Sequence, residues 1–101
     1  MGQLTNEAAK RLNQEGVGKF YCLAGIGGAV ESMKVNAEGA DRIIALDGCA
    51  VACAKLTLER AGLPISTYVV ATELGIEKGQ HFNMFCDQVD AICGRVGELL
   101  A

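Results

Sequence analysis

Five cysteines in a chain of 101 residues raise the chemical question, and two of them raise it most sharply. Cys49 and Cys53 stand four positions apart in "ALDGCAVACAK", directly after an Asp47-Gly48 corner. A helix beginning at about Cys49 would carry both on one face, a turn apart. Its free N–H groups and positive dipole end would stabilise a thiolate there. Such a pair can grip one metal ion, and Cys22 is a third sulfur if its segment ends nearby. Zinc takes four ligands in a tetrahedron, with Zn–S distances of about 2.3 Å. Gly48 would let the backbone turn sharply, and Asp47 could orient a ligand or accept hydrogen bonds from the helix start.

Two other readings use the same thiols. A redox pair would close a Cys49–Cys53 disulfide, but helical i, i+4 side chains stand about 5–6 Å apart between Cβ atoms. A disulfide wants about 3.5–4.5 Å, so the helix start would have to unwind. The plainest reading makes both residues small buried hydrophobes. C-x3-C is not the C-x2-C pairing of zinc ribbons, so spacing alone leaves all three open.

The remaining candidates are weaker. Cys86 and Cys93 are two helical turns apart beside Val89 and Val96, which is core spacing for Cys93 and ambiguous for Cys86 at a helix start. His81, the sole histidine, lies in a polar stretch and reads as solvated, as do Lys55 and Lys78. A phosphatase-like thiolate loop would need several glycines and an arginine, which "CAVACAK" lacks. "GIGGAV" lacks the last glycine of a dinucleotide fingerprint. It reads as a tight turn whose N–H groups could cradle an anion.

The elements that must position these residues alternate between helix and strand. Leu4, Ala8, Ala9 and Leu12 predict a helix over 4–15 with Thr5 as N-cap, ended by Gly16 and Gly18. "KFYCLA" reads as a first strand, followed by "GIGG" and a helix from about Ala29 to Glu38. "DRIIALDG" reads as a second strand, with a helix from Cys49 to Ala61 stopped at "GLP". "STYVVAT" is a third strand, and a last helix capped by Asn83 carries Phe85, Val89, Ile92, Val96 and Leu99. Phe82 and Phe85 would clamp that helix to the body.

The expected fold is therefore α/β: a three-layer α/β/α sandwich, Rossmann-like, with a short, mainly parallel sheet of about three strands. In such sheets functional groups gather beyond the carboxyl ends of the strands. Cys22, Cys49 and Cys53 would meet on that rim, with Cys86 approaching it.

Bulk composition narrows the classes. The length supports one domain over 1–101. Half the residues are hydrophobic, so the chain is not of the disordered class. Nine basic residues are scattered against twelve acidic ones, giving a net charge of −3 without a basic stripe, so nucleic acid is not an expected partner. No apolar run is membrane-spanning in length, and the polar start is no signal peptide. The expected compartment is the cytoplasm, where thiols stay reduced.

"KFYCLAGIGG", "IIALDGCAVACAKLTLERAG" and "TELGIEKG", in that order and spacing, resemble the DGC-domain family. The family takes its name from the triplet that stands here as Asp47, Gly48 and Cys49. The resemblance spans about residues 3 to 80. It implies a four-cysteine site for zinc and no established enzymatic activity, with Cys22, Cys49 and Cys53 matching three of the four ligands. Members usually carry a further strand and cysteine before a segment like "GQLTNEAAKRL", which here follows Met1. Without that strand, either the first two remaining strands pair directly or the sheet keeps an unfilled slot. The site would also be one ligand short, for Asp47, His81, Cys86, water or a second chain to complete. An open edge invites another chain, so a homodimer or marginal stability is expected.

The function this predicts is a small metal-binding module with zinc on cysteine thiolates, non-enzymatic or accessory, since no acid, base or substrate pocket can be named. The alternative is a thiol redox protein or sensor using Cys49 with Cys53 or Cys22.

Overall fold

The computed structural model describes residues 2–79 and 86–101. Helix α1 spans Gly2–Gln14, α2 Leu23–Gly27 and α3 Glu31–Glu38. Strand β1 is Ile44–Asp47, α4 Cys53–Arg60 and β2 Thr67–Val70. A 3-10 turn over Ala71–Leu74 follows, and α5 runs Cys86–Leu100. Among the described residues the chain is thus a mixed α/β fold of five α-helices and a short parallel sheet.

Helix α1 forms where the apolar spacing places it, burying Leu4, Ala8 and Leu12. Thr5 is not its N-cap: the helix already runs at Gly2, and the buried Thr5 hydroxyl donates to the Gly2 carbonyl at 3.1 Å. The helix ends as expected. Gly16 takes φ +76°, and the amides of Gly16 and Val17 return to Asn13 and Leu12. Gly62 repeats this after α4, with φ +75° and amides of Gly62 and Leu63 returning to Glu59 and Leu58.

The main correction concerns the first strand. Residues 19–22 have no regular structure, and Leu23–Gly27 is helical. Aromatic and apolar composition suggests a strand only where a neighbouring edge and a buried face exist to receive it. Here Phe20 and Tyr21 remain substantially exposed. The Phe20 amide donates to the Asn13 side chain at 2.8 Å, and the Tyr21 hydroxyl donates to the Met33 carbonyl at 2.8 Å. These bonds hold an irregular crossing rather than a ladder. Among the described residues the sheet therefore has two strands, not three.

Strands β1 and β2 pair in parallel, with Ile44 opposite Thr67 and Asp47 opposite Val70. Strand alternation divides the core. Ile44, Leu46 and Val69 pack with Leu4, Ala8, Leu12, Val89, Ile92 and Val96 of α1 and α5. Ala45 and Tyr68 pack with Ile26, Leu58 and Leu63. The α5 stripe is buried at Val89, Ile92 and Val96, whereas Leu99 stays 42% exposed. The expected clamp of Phe82 and Phe85, the Asn83 cap and the solvated His81 lie outside the described residues.

Candidate functional site

The carboxyl end of β1 is organised by one buried side chain. Asp47 is 5% exposed. Its Oδ1 accepts the Ala54 amide at 2.7 Å, while Oδ2 accepts the Lys55 amide at 3.0 Å and the Tyr68 hydroxyl at 2.6 Å. These are charge-assisted bonds to the open amides of a helix start, the place where a carboxylate is most useful. Asp47 thereby fixes α4 to β1 and orients Tyr68 on β2. Burial, then the bond to Asp47, raises the Tyr68 pKa above its ordinary value. The Lys55 ammonium sits 5.5 Å from the centroid of the same ring.

Helix α4 starts at Cys53 rather than Cys49. Residues 49–52 form a tight turn in which the Ala52 amide donates to the Cys49 carbonyl at 3.1 Å. Ala52, the N-cap, is left-handed at φ 61° and ψ 45°, a conformation that costs a non-glycine residue about 1–2 kcal/mol. Cys49 and Cys53 thus bracket a strained turn; they are not neighbours on one helical face. The carboxylate capping from upstream, with Gly48 holding the 3-10 segment through its carbonyl to Thr72, stops the helix from extending back to Cys49.

Both thiols line one cleft of about 800 Å³, which runs along β1. Cys22 does not end a strand. It is the N-cap of α2, its sulfur accepting the Gly25 amide at 3.3 Å. Tyr21 and Leu23, on either side of it, line the same cleft, and α2 packs on α4. A Cβ on Gly25 would stand 1.9 Å from the Met33 sulfur, so glycine there allows α3 to press on α2 and hold the cap in place. "GIGG" is therefore part of a short helix and its exit rather than a turn alone.

Cys49 and Cys53 accordingly line one cleft, Cys22 lies between two of its lining residues, and the three are not drawn into one cluster. Among the described residues no group of three or more His, Cys, Asp or Glu stands close enough to hold a metal ion. Cys22 and Cys53 are exposed and Cys49 half-buried, and all three thiols are free. Cys49 and Cys53 share the lining of the cleft, while Cys22 caps the separate helix α2.

Helix α5 carries its cysteines elsewhere. Cys93 is half-buried, its thiol 3.6 Å from the Ala8 carbonyl, and burial pushes its pKa up. It is a packing residue, as its spacing suggested. Cys86 is exposed at the helix start.

Two features were not visible in spacing. Tyr68 looks like an ordinary strand residue, and only the parallel register brings its hydroxyl to Asp47. Lys19 and Arg42, scattered in sequence, both line the cleft. No local pattern marks either, because each depends on pairing between distant segments.

Comparison with known proteins places the chain. The sequence model of the DGC domain matches residues 1–96. The chain is 32% identical over 91 residues to the anaerobic and virulence modulator AnvM of Pseudomonas aeruginosa, an alignment covering 90% of this chain and 68% of that protein. No solved structure matches. With its Asp47-Gly48-Cys49 triplet at the head of the capped turn, this chain belongs to the DGC-domain family.

Proposed function

We propose that this chain is a small metal-binding module in which Cys49 and Cys53, joined by Cys22, hold zinc on thiolate sulfurs in an accessory, non-enzymatic role. The observation that carries this reading is the turn itself: two thiols bracket a strained residue, Ala52, at one wall of one cleft. Local strain is retained where the surroundings over-determine it, commonly at ligand clamps. Asp47 supports the turn by tying the start of α4 down through two amides. Cys22, the cap of a short helix that packs on α4, is the third sulfur of this reading. The three-layer, Rossmann-like arrangement and a reducing, cytoplasmic setting belong to the same proposal, since five free thiols persist best there. A relative called a modulator rather than named for a reaction suits an accessory role.

Native mass spectrometry of the reduced chain, with and without zinc, tests the proposal. One zinc per chain is expected, lost in Cys49→Ser and in Cys53→Ser with unchanged circular dichroism. Cys22→Ser should weaken retention rather than abolish it. A chain that takes up no zinc at micromolar metal rules the module out.

The turn also favours a second reading. Because Cys49 and Cys53 are not on successive helical turns, the spacing objection to a disulfide is removed. Glutathione disulfide would accept two electrons and two protons from the pair through a transient mixed disulfide and leave as two glutathione thiols. Incubation with glutathione disulfide should then lower the mass of the chain by two hydrogens without lasting glutathione adducts. Persistent mixed disulfides at Cys22 or Cys53 would exclude that chemistry.

A further inference from the structure

Cys49 and Cys53 belong to different parts of the fold. Cys49 follows the end of β1, where the Gly48 carbonyl accepts the Thr72 amide at 3.2 Å and ties the strand exit to the 3-10 turn. Cys53 is the first residue of α4. Between them lies left-handed Ala52, whose amide donates to the Cys49 carbonyl and whose carbonyl accepts the Leu56 amide at 2.9 Å. The separation of the two sulfurs therefore depends on how the first turn of α4 is set against the end of β1.

Asp47 makes that setting. It is the last residue of β1, and its carboxylate takes the Ala54 and Lys55 amides, the two that follow Cys53. The terminal torsion of such a side chain is broad and roughly two-fold. Two donors from one helical turn let the carboxylate move with that helix, and a donor from the sheet is needed to fix it. Tyr68 supplies one: its hydroxyl donates to Oδ2 at 2.6 Å, on the oxygen that also accepts the Lys55 amide.

The register explains why this donor is a tyrosine. Tyr68 stands opposite Ala45, two residues short of Asp47. Two strand residues advance about 6.6 Å, a span that a phenol covers and a serine or threonine hydroxyl does not. The ring is itself held, by packing with Leu58 and Leu63 and by the Lys55 ammonium 5.5 Å from its centroid. With Lys55, Leu63 and Pro64 it borders a separate hollow of about 370 Å³ rather than the thiol cleft. Tyr68 therefore touches the site only through Asp47.

We propose that Tyr68 is a positioning residue for the thiol pair: through Asp47 it sets the first turn of α4 against β1 and so presents the Cys49 and Cys53 sulfurs together to one thiophilic atom. The inference rests on the reading that these two thiols act as a pair. A turn already ordered before the ligand arrives loses less freedom on binding.

The probe is phenylarsine oxide, added to the reduced chain in chelator. Two As–S bonds form, the As–O bond breaks, and the oxygen leaves as water with the two thiol protons, so nothing is oxidised or reduced. Mass spectrometry of a digest should place one arsenic across Cys49 and Cys53, and competition with ethanedithiol gives the relative affinity. Tyr68→Phe should hold the arsenic about tenfold more weakly, the low end for loss of an outer-shell partner. Ile92→Val, a mild truncation on the packed side, should hold it like the parent. Tyr68→Phe should add nothing to the loss in Asp47→Asn, since both remove one coupled element.

Equal affinity in Tyr68→Phe and the parent overturns the positioning role while leaving the paired-thiol reading in place. A matching loss in Ile92→Val reduces Tyr68 to a stability residue and overturns it too. Additive losses at Tyr68 and Asp47 overturn action through the carboxylate, and the first two comparisons decide even if Asp47→Asn does not fold. A parent that takes no arsenic across Cys49 and Cys53 overturns the paired-thiol reading itself, and this inference with it.

Discussion

The two sides of the small sheet are built to different standards. Toward α1 and α5, Leu4, Val89, Ile92 and Val96 are essentially without solvent contact, and the helices interlock along their apolar stripes. An ion pair between Arg11 and Asp90 and the Cys93 thiol over the Ala8 carbonyl add to the closure. Around the cleft, the opposite holds. Phe20, Tyr21, Leu23 and Val51 stay exposed, as do the Cys22 and Cys53 thiols, and Cys49 is half-buried. Among the described residues only Asp47 stands at this end as a buried charge, bonded to three donors. The contrast suggests a division of labour: one side supplies stability, which leaves the other able to remain open for ligands.

The largest test of that division is truncation on the packed side. Ile92→Ala, at a residue with no solvent exposure, should cost about 2–5 kcal/mol in urea unfolding. Val51→Ala beside the thiols, 58% exposed, should stay within about 0.5 kcal/mol. Equal effects at both sites would remove the distinction.

Asp47→Asn probes the one anchored point of the open side. The variant keeps a single acceptor oxygen where a carboxylate met three donors, and a loss of about 1.5–3 kcal/mol is expected by the same measurement. A smaller loss would mean that α4 is held mainly by Leu58 and Ala54 packing.

The smallest effect is a pH dependence. The folded chain holds the Tyr68 proton more tightly than the unfolded chain does, because burial and the bond to Asp47 disfavour the phenolate. Stability from this group is complete below the unfolded tyrosine pKa of about 10 and declines as pH rises beyond it. Unfolding free energy should therefore fall more steeply above that pH in the parent than in Tyr68→Phe. Identical slopes would detach Tyr68 from the Asp47 anchor.

Several features were legible from residues alone. The 3.6-residue stripes of α1 and α5, the glycine exits at Gly16 and Gly62, and the bonding role of Asp47 follow from local spacing and local chemistry. The same rules erred where a neighbour was needed. "KFYCLA" has strand composition, yet it forms no strand, since strand stability resides in pairing and burial. Cys49 looked like a helix start, yet the capping carboxylate of Asp47 reaches past it to Ala54 and Lys55. That displacement turned an inferred helical pair into the two ends of a strained turn.

By itself, then, the sequence determined the amphipathic stripes of α1 and α5, the glycine exits at Gly16 and Gly62 and the family, because periodicity, glycine conformation and a contiguous motif are encoded within short windows. Tertiary structure alone decided that β1 pairs with β2, that Tyr68 joins Asp47, and that Lys19 and Arg42 share a cleft with Cys49 and Cys53. Those relations depend on register and crossover between segments twenty or more residues apart, and hydrogen-bond partners at that distance exist only once the chain has packed.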